Sequence, residues 1–258
     1  MAKRTRFSRL TNGLFNSAAD LLLFQIGLIG GSIGQTHTAR GAYKSIIEAD
    51  KFLQEVNHKT LRGAWQYLRR QGLVETIKRD VFYEPIITLA AEKRLKSLVP
   101  TYRKHRPWDK RIYIITYDIP EERSGSRDLL REQLKFLGAA SLQRSVWICP
   151  YNLETVLDDF VQKNKIEGTI ILSDTGTDGG IGGTSIENLV IDIYDLESLN
   201  ERYREFLEMV KQKEMSKTSL AILYLSILKD DPQLPFQLLP YWWLGDDAFK
   251  IYKKLTKK

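Results

Sequence analysis

The segment Arg111–Asn152 constrains the fold more than any other part of this 258-residue chain. It opens with an apolar run, Arg111–Asp118, that is typical of a strand. A basic amphipathic stretch, Ser126–Gly138, then predicts a helix that stops at a glycine. In Ser141–Ile148 two sets of side chains alternate, as a half-buried strand requires: Leu142, Arg144, Val146 and Ile148 against Gln143, Ser145 and Trp147. Strand, helix, glycine turn and strand form half of a βαββαβ unit with the ferredoxin-like topology.

The following segments complete the predicted unit. The pattern predicts a helix over Leu153–Asn164, a strand over Thr169–Ser173 and a last strand over Leu189–Tyr194. The segment Thr175–Gly183 contains five glycines and lies between the last two predicted strands. It lacks the Gly-Lys-Ser/Thr end of a phosphate-binding loop, so we interpret it as a mobile hairpin loop.

The distribution of charge separates the first part of the chain from the rest. Residues 1–110 contain 20 Lys and Arg against 9 Asp and Glu, a net charge of +11, whereas the remainder is mildly acidic. Basic surfaces of this kind bind polyanions, and nucleic acid is the usual partner. The first ten residues, with Arg4, Arg6 and Arg9, are interpreted either as an arm that reaches DNA or as a solvated tail.

The segment Asn57–Gly72 predicts a helix with two different faces. Asn57 is suited to cap its N-terminus, and Gly72 is suited to the left-handed position that ends it. One stripe at helical spacing is apolar: Leu61, Ala64, Trp65 and Leu68. Another carries long hydrogen-bond donors: Lys59, Arg62, Gln66 and Arg69, with Arg70 beside them. Such donors suit phosphate oxygens and base edges, although a basic helix face is more often simply solvated.

The elements around this helix favour DNA binding. We predict helices over Asn16–Ile29, Ala39–Leu53 and Ala90–Leu98. A short hairpin over Leu73–Thr88 has Lys78 and Arg79 at its tip. This order is typical of a winged helix-turn-helix. The candidate DNA-binding residues are therefore Lys59, Arg62, Gln66, Arg69, Arg70, Lys78 and Arg79.

The C-terminal part is predicted to be helical. Its first helix is indicated by apolar residues spaced three and four apart, namely Leu196, Leu199, Tyr203, Phe206 and Val210. A more buried helix over Thr218–Leu228 and a closing helix from Asp246 follow. Between them, the proline-rich segment Pro232–Pro240 has a restricted path and is predicted to be anchored through Trp242 and Trp243.

These patterns together predict an α+β protein with three domains. They are a winged-helix domain with a basic arm (1–99), a ferredoxin-like domain (111–195) and a helical domain (196–258), with a linker at 100–110. The single cysteine, Cys149, excludes an internal disulfide and is expected to be a buried, inert thiol. No apolar stretch reaches the roughly 20 residues of a membrane span, so a cytoplasmic protein is expected.

Two sets of residues resemble known families. Asp118 at a strand end, followed by Gln143-Arg144-Ser145-Val146-Trp147, is similar to the small ferredoxin-like protein of CRISPR adaptation complexes. The run Asp-Pro-x-Leu-Pro-x-x-Leu-Leu-Pro at 231–240, then Trp and Gly, resembles the C-terminus of the PaaX-like repressors of phenylacetate catabolism. That family also has a winged helix and a central CRISPR-adaptation-like module. The resemblance implies a homodimeric transcriptional repressor that binds double-stranded DNA. It also implies that a small-molecule effector such as an acyl-CoA relieves the repression.

The resemblance also leaves an enzymatic alternative. In the CRISPR-associated relatives one such aspartate from each of two subunits is proposed to hold a divalent cation, so Asp118 is a candidate metal ligand for a Mg²⁺-dependent nuclease. One carboxylate per chain gives a cation few ligands, and the three histidines are too scattered in the sequence to supply others. We therefore expect no enzyme activity and no cofactor, with Asp118 accepting hydrogen bonds from the turn after Pro120. An architectural protein that binds DNA without regulating a promoter is a third alternative.

Overall fold

The computed structural model describes residues 11–29, 51–54, 56–79, 82–176 and 185–256, without the side chains of 29, 51, 52, 79 and 82. The chain forms two compact units. The first consists of Met1–Tyr102, Glu201–Asp231 and Leu244–Lys258. The second consists of Arg103–Asn200 and Pro232–Trp243. Each predicted domain is continuous in sequence, whereas each compact unit combines segments that are distant in sequence. The two divisions describe different things, and the predicted domain boundaries remain a prediction.

The described elements fall into an N-terminal, a central and a C-terminal group along the chain. The N-terminal part contains α1 (Ala18–Ile29), α2 (Lys51–Gln54), α3 (His58–Arg70), β1 (Val74–Arg79), β2 (Phe82–Ile87) and α4 (Leu89–Leu98). The central part contains β3 (Tyr113–Asp118), α5 (Ser124–Phe136), β4 (Ala140–Gln143), β5 (Val146–Cys149), α6 (Glu154–Asn164) and β6 (Thr169–Asp174). Then come α7 (Ile186–Ile193), α8 (Leu196–Gln212), α9 (Lys217–Asp230) and α10 (Gly245–Thr256).

The helix α1 lies at the centre of the first unit. It is apolar on all sides, which is typical of a buried helix, and it packs against α3, β2 and α4. Its Asp20 accepts two hydrogen bonds from Arg94 of α4, with the Nη2–Oδ1 distance at 2.7 Å. The hydroxyl of Thr218 in α9 donates to the Gln25 side chain of α1. The N-terminal helices and α9 therefore share one core.

Aromatic rings join the C-terminal helices within the same unit. Tyr203 and Phe206 of α8 are buried and contact Tyr224 of α9. The Tyr224 ring also stacks on Tyr252 of α10, with 4.3 Å between the ring centroids. The Tyr203 hydroxyl donates to Asp231 at 2.8 Å. These contacts confirm that the predicted heptad stripe is a packing face.

The second unit contains the predicted ferredoxin-like fold. Its four strands are antiparallel in the order β4-β5-β3-β6, with α5 and α6 in the connections. The chain order β3-α5-β4-β5-α6-β6 is therefore a complete βαββαβ unit. The register pairs Tyr113 with Cys149 on one side of β3 and Asp118 with Thr169 on the other. The α+β prediction is confirmed.

Two predicted strands are wrong. The run Ser141–Ile148 is not one strand but parts of β4 and β5, joined by a two-residue turn at Arg144 and Ser145. The three consecutive polar residues Gln143, Arg144 and Ser145 interrupt the alternation at the turn. The run Leu189–Tyr194 lies largely in helix α7, whose N-terminus is capped by Ser185. A short apolar run fits either a strand or a helix, and β6 already completes the four-stranded order.

The identity of α7 also corrects the interpretation of the glycine-rich segment. A helix follows it, so it does not join two strands as predicted. Residues 177–184 of this segment lie outside the described residues. The same holds for the basic arm at 1–10 and for most of the predicted helix Ala39–Leu53.

Each face of the sheet has its own apolar core. On one face Ile115, Tyr117 and Trp147 pack with residues of α5 and α6. On the other face Ile112 and Ile148 pack with α7 and the proline-rich segment, including Trp242 and Trp243. The predicted anchoring by the two tryptophans is therefore confirmed. Since Ile148 and its neighbours need this cover, the segment 232–243 is part of the second unit.

A buried arginine holds the proline-rich segment in place. Arg106 is 4% exposed, and its Nη1 donates to the carbonyl oxygen of Leu234 at 3.1 Å. Its guanidinium also lies 4.5 Å from the ring centroid of Phe236. Among the helices within the described ranges, none is long and apolar enough to cross a membrane.

Candidate nucleic-acid interface

The helix α3 begins and ends as its sequence predicts. The side chain of Asn57 accepts a hydrogen bond from the Lys59 backbone N–H at 2.9 Å, so it caps the N-terminus. At the other end Gly72 has φ +63°, and its N–H donates to the carbonyl of Arg69. The Leu73 N–H donates to the Leu68 carbonyl, which completes a Schellman motif. The chain then enters β1 directly, so helix and hairpin are joined by a rigid corner.

The two faces of α3 differ completely in burial. The predicted apolar stripe, Leu61, Ala64, Trp65 and Leu68, is buried in the first unit. The predicted donor residues on α3 are all exposed: Lys59, Arg62, Gln66, Arg69 and Arg70. Burial of one stripe fixes the rotation of the helix about its axis, and this rotation presents the donors to solvent.

The exposed cations of α3 keep their hydrogen-bonding capacity. No carboxylate among the described residues forms an ion pair with Arg62, Arg69 or Arg70, although other surface arginines in these ranges do so. Gln66, Arg69 and Arg70 line a shallow concavity of about 420 Å³ together with Trp65. A guanidinium without an internal partner retains five N–H donors in a planar fork, a geometry that matches phosphate oxygens and guanine edges.

The hairpin extends this surface beyond α3. In β1 and β2 the register runs from Val74 opposite Ile87 to Arg79 opposite Phe82. Lys78 is exposed, and its Nζ lies 6.0 Å from the ring centroid of Tyr83. The structure places the backbone of Arg79 at the end of β1, while its side chain lies outside the described residues. The hairpin therefore follows α3 as the DNA-binding prediction requires.

A glycine on α3 is part of the exposed surface and was not singled out from the sequence. Gly63 lies one turn after Lys59, and a Cβ built on it meets no heavy atom within 4 Å. Glycine in a helix interior costs about 0.5–1 kcal/mol relative to alanine. No packing within the described residues explains this cost. The signal in the sequence was an isolated glycine inside a strong helical pattern.

The candidate metal ligand lies elsewhere, in the second unit. Asp118 is exposed at the end of β3, where its carbonyl oxygen lies 2.5 Å from the position of a Cβ on Gly168. Gly168 has φ +140°, so only glycine fits this approach. The predicted capping role of the Asp118 carboxylate is wrong, since the 3₁₀ turn Glu121–Arg123 has no side-chain cap. Within the described ranges no three His, Cys, Asp or Glu residues converge on a common point.

The predicted burial of the single cysteine is confirmed. Cys149 is fully buried in β5. Desolvation by burial raises the pKa of its thiol to about 12. A thiol that stays protonated at neutral pH is a poor nucleophile and a poor metal ligand.

Comparison with known proteins identifies the central domain. Residues 105–185 match the family model described as the PaaX protein central Cas2-like domain. The chain carries a PaaX-type central domain. The predicted resemblance to the PaaX-like family is thereby confirmed over this domain, which contains the βαββαβ unit and the residues that follow β6 up to 185.

One solved structure has a similar fold over nearly the whole chain. The uncharacterised protein Rv0674 from Mycobacterium tuberculosis is 19% identical, with a TM-score of 0.60. The similarity covers 93% of this chain and 94% of that one. At this identity the similarity shows the fold alone. It extends beyond the central domain to nearly the whole of both chains. No protein with a curated description matches the chain significantly.

Proposed function

We propose that this protein is a DNA-binding transcriptional regulator, specifically a repressor, whose first unit is a winged helix-turn-helix. The observation that carries the proposal is the face of α3 with five exposed donors and no described acidic partner, opposite a fully buried stripe. In this proposal α3 enters the major groove and the β1–β2 hairpin contacts the adjacent backbone. The net charge of +11 on residues 1–110 supports it.

The central domain supports a regulatory role rather than a general affinity for DNA. PaaX-type proteins are associated with regulation, and the central domain of this chain matches theirs. We extend the proposal to a cytoplasmic homodimer on an inverted-repeat operator, relieved by a small-molecule effector. A two-fold dimer presents two copies of α3 to half-sites about one or more helical turns apart.

A salt titration tests the DNA contact without knowledge of the operator. In the variant Arg62→Gln, Arg69→Gln and Lys78→Gln, binding to a duplex of random sequence is measured by fluorescence anisotropy. Each lost phosphate contact removes about 0.9 from the slope of log K against log salt. The triple variant should therefore bind several-fold more weakly and with a flatter slope.

A matched variant separates local contacts from bulk charge. Lys93→Gln, Lys253→Gln and Lys254→Gln remove the same charge from exposed positions of the first unit that belong to α4 and α10 rather than to α3 or the hairpin. This control should keep most of the affinity and the slope. An equal loss of affinity in both triple variants would show that binding depends on net charge alone. An unchanged salt slope in the Arg62, Arg69 and Lys78 variant would mean that the DNA interface lies elsewhere.

The oligomeric part of the proposal has its own measurement. Sedimentation at micromolar concentration should give a dimer, and footprinting on genomic DNA should reveal protected sites with two-fold symmetry. A monomer that protects a single asymmetric site contradicts the dimer while leaving the α3 contact intact. Symmetric protection without any change in transcription would favour the architectural alternative.

A further inference from the structure

A cleft in the second unit lies between α5 and the β4–β5 hairpin. Its volume is about 570 Å³, within the usual range for small-molecule sites. The lining residues are Glu121, Ser124, Arg127, Asp128, Arg131, Lys135, Ser141, Arg144, Ser145 and Trp147. Three of them belong to the Gln143–Trp147 motif, to which the proposed DNA contact assigns no role.

Four cationic side chains meet in this cleft. Arg127, Arg131 and Lys135 recur every four residues, so they lie on one face of α5 and span about 12 Å along the helix. Arg144 comes from the two-residue turn between β4 and β5. Only two carboxylates, Glu121 and Asp128, also line the cleft. The lining therefore carries an excess of positive charge.

A hydrogen-bonded framework holds these cations together. The Nε of Arg131 donates to the Tyr117 hydroxyl at 2.9 Å, and that hydroxyl donates to the carbonyl oxygen of Arg144 at 2.9 Å. The Tyr117 backbone N–H donates to the carbonyl of Ser145 at 3.1 Å. The hairpin tip is thus tied to β3 and α5. Arg131 also forms an ion pair with Asp128 at 3.3 Å. No carboxylate among the described residues pairs with the other three cations, which repel each other unless an anion lies between them.

The most deeply buried lining residue is Trp147, which is 3% exposed. It belongs to the apolar core between the sheet and the helices α5 and α6. Its indole Nε1 is enclosed and has no hydrogen-bond partner within the described residues. The indole therefore forms a fixed wall of the cleft, and the surrounding cations supply the polar contacts.

We propose that the cleft binds a small ligand that carries two or more phosphoryl groups. One phosphate is too small to meet cations distributed over about 12 Å of helix, whereas linked phosphates reach several of them. The hydroxyl groups of Ser124 and Ser145 and the N-terminus of α5 add donors for the same oxygens. Glu121 and Asp128 interrupt the positive surface, which disfavours a continuous nucleic-acid backbone. This site does not depend on the proposed DNA contact.

Calorimetric titration of the full chain with inorganic pyrophosphate tests the proposal. The decisive variant is Lys135→Gln with Arg144→Gln, because no described residue hydrogen-bonds to either side chain and both are exposed. The matched control is Lys104→Gln with Lys163→Gln, two exposed cations of the same unit outside the cleft. We expect one pyrophosphate per chain, at least tenfold weaker binding in the first variant and unchanged binding in the control. The melting temperatures of all three proteins should agree.

Three outcomes would overturn the proposal. They are the absence of heat at millimolar pyrophosphate, equal weakening in both pairs, and displacement of pyrophosphate by a short DNA duplex that the cleft variant no longer binds. The last would make the cleft a nucleic-acid surface. The Arg62, Arg69 and Lys78 triple variant separates the two hypotheses, since it should lose DNA binding and keep pyrophosphate binding.

Discussion

Replacement of Gly63 by leucine should stabilise the protein while weakening its binding to DNA. Leucine is among the best helix formers, so the change removes a cost of about 0.5–1 kcal/mol. The new side chain meets no internal obstacle, because a Cβ at this position has no heavy atom within 4 Å. At the size of this chain the gain corresponds to a melting temperature about 2–4 °C higher.

Affinity for DNA should fall because the major groove leaves little space around α3. A helix with its side chains is about 10–12 Å wide and the major groove is about 12 Å wide, so an added side chain on the groove side displaces the helix. Loss of one good bidentate base contact costs about 1–3 kcal/mol, which corresponds to a roughly 5- to 150-fold weaker complex. Stability and affinity therefore change in opposite directions.

Thermal denaturation and anisotropy titration measure the two effects in the same preparation. Gly125→Leu is the matched control, since Gly125 is also exposed in a helix, α5, with no heavy atom within 4 Å of a Cβ. The control should leave DNA binding unchanged. An unaltered affinity in Gly63→Leu refutes the close approach of this face to DNA, and a lower melting temperature refutes the claim that the position is free of internal packing.

Two further predictions concern Asp118 and Cys149. Asp118→Asn should leave DNA binding nearly unchanged, and neither protein should degrade single- or double-stranded DNA or RNA in Mg²⁺ or Mn²⁺; degradation that the variant abolishes would favour the nuclease alternative. The folded protein should resist thiol reagents at neutral pH while the urea-unfolded chain reacts quickly, because burial raises the pKa of the Cys149 thiol from 9.0 to about 12. The unfolded thiol ionises first, so the stability conferred by the protonated thiol is present below pH 9 and is lost as the pH rises toward about 12. Rapid modification of the folded protein would contradict this burial.

Features with strong local signals could be predicted from the sequence. The capped ends of α3, its buried stripe and its exposed donors follow from residue type and helical period, and the structure has them as expected. The same holds for the packing face of α8, where Leu196, Tyr203 and Phe206 are buried. A period repeated over several turns, with a cap at its end, leaves few alternatives.

The tertiary structure decided what local patterns leave open. The segment Ser141–Ile148 is compatible with one long strand or with two short strands joined at Arg144 and Ser145, and the apolar run in α7 fits a strand or a helix. Only the completed order β4-β5-β3-β6 distinguishes these alternatives, because β6 already pairs with the free side of β3.

Packing between distant segments also determines two features that no single segment predicts: the position of the segment 232–243 and the charged cleft. The segment 232–243 joins the second unit because Ile112 and Ile148 expose an apolar face that Leu234 and Leu238 cover. The cations of α5 meet the hairpin turn because Tyr117 hydrogen-bonds to both. The sequence alone thus determined the two-faced helix α3, since its period and caps are local. Only the tertiary structure determined the charged cleft, since its cations belong to separate elements whose positions depend on the packing of the whole unit.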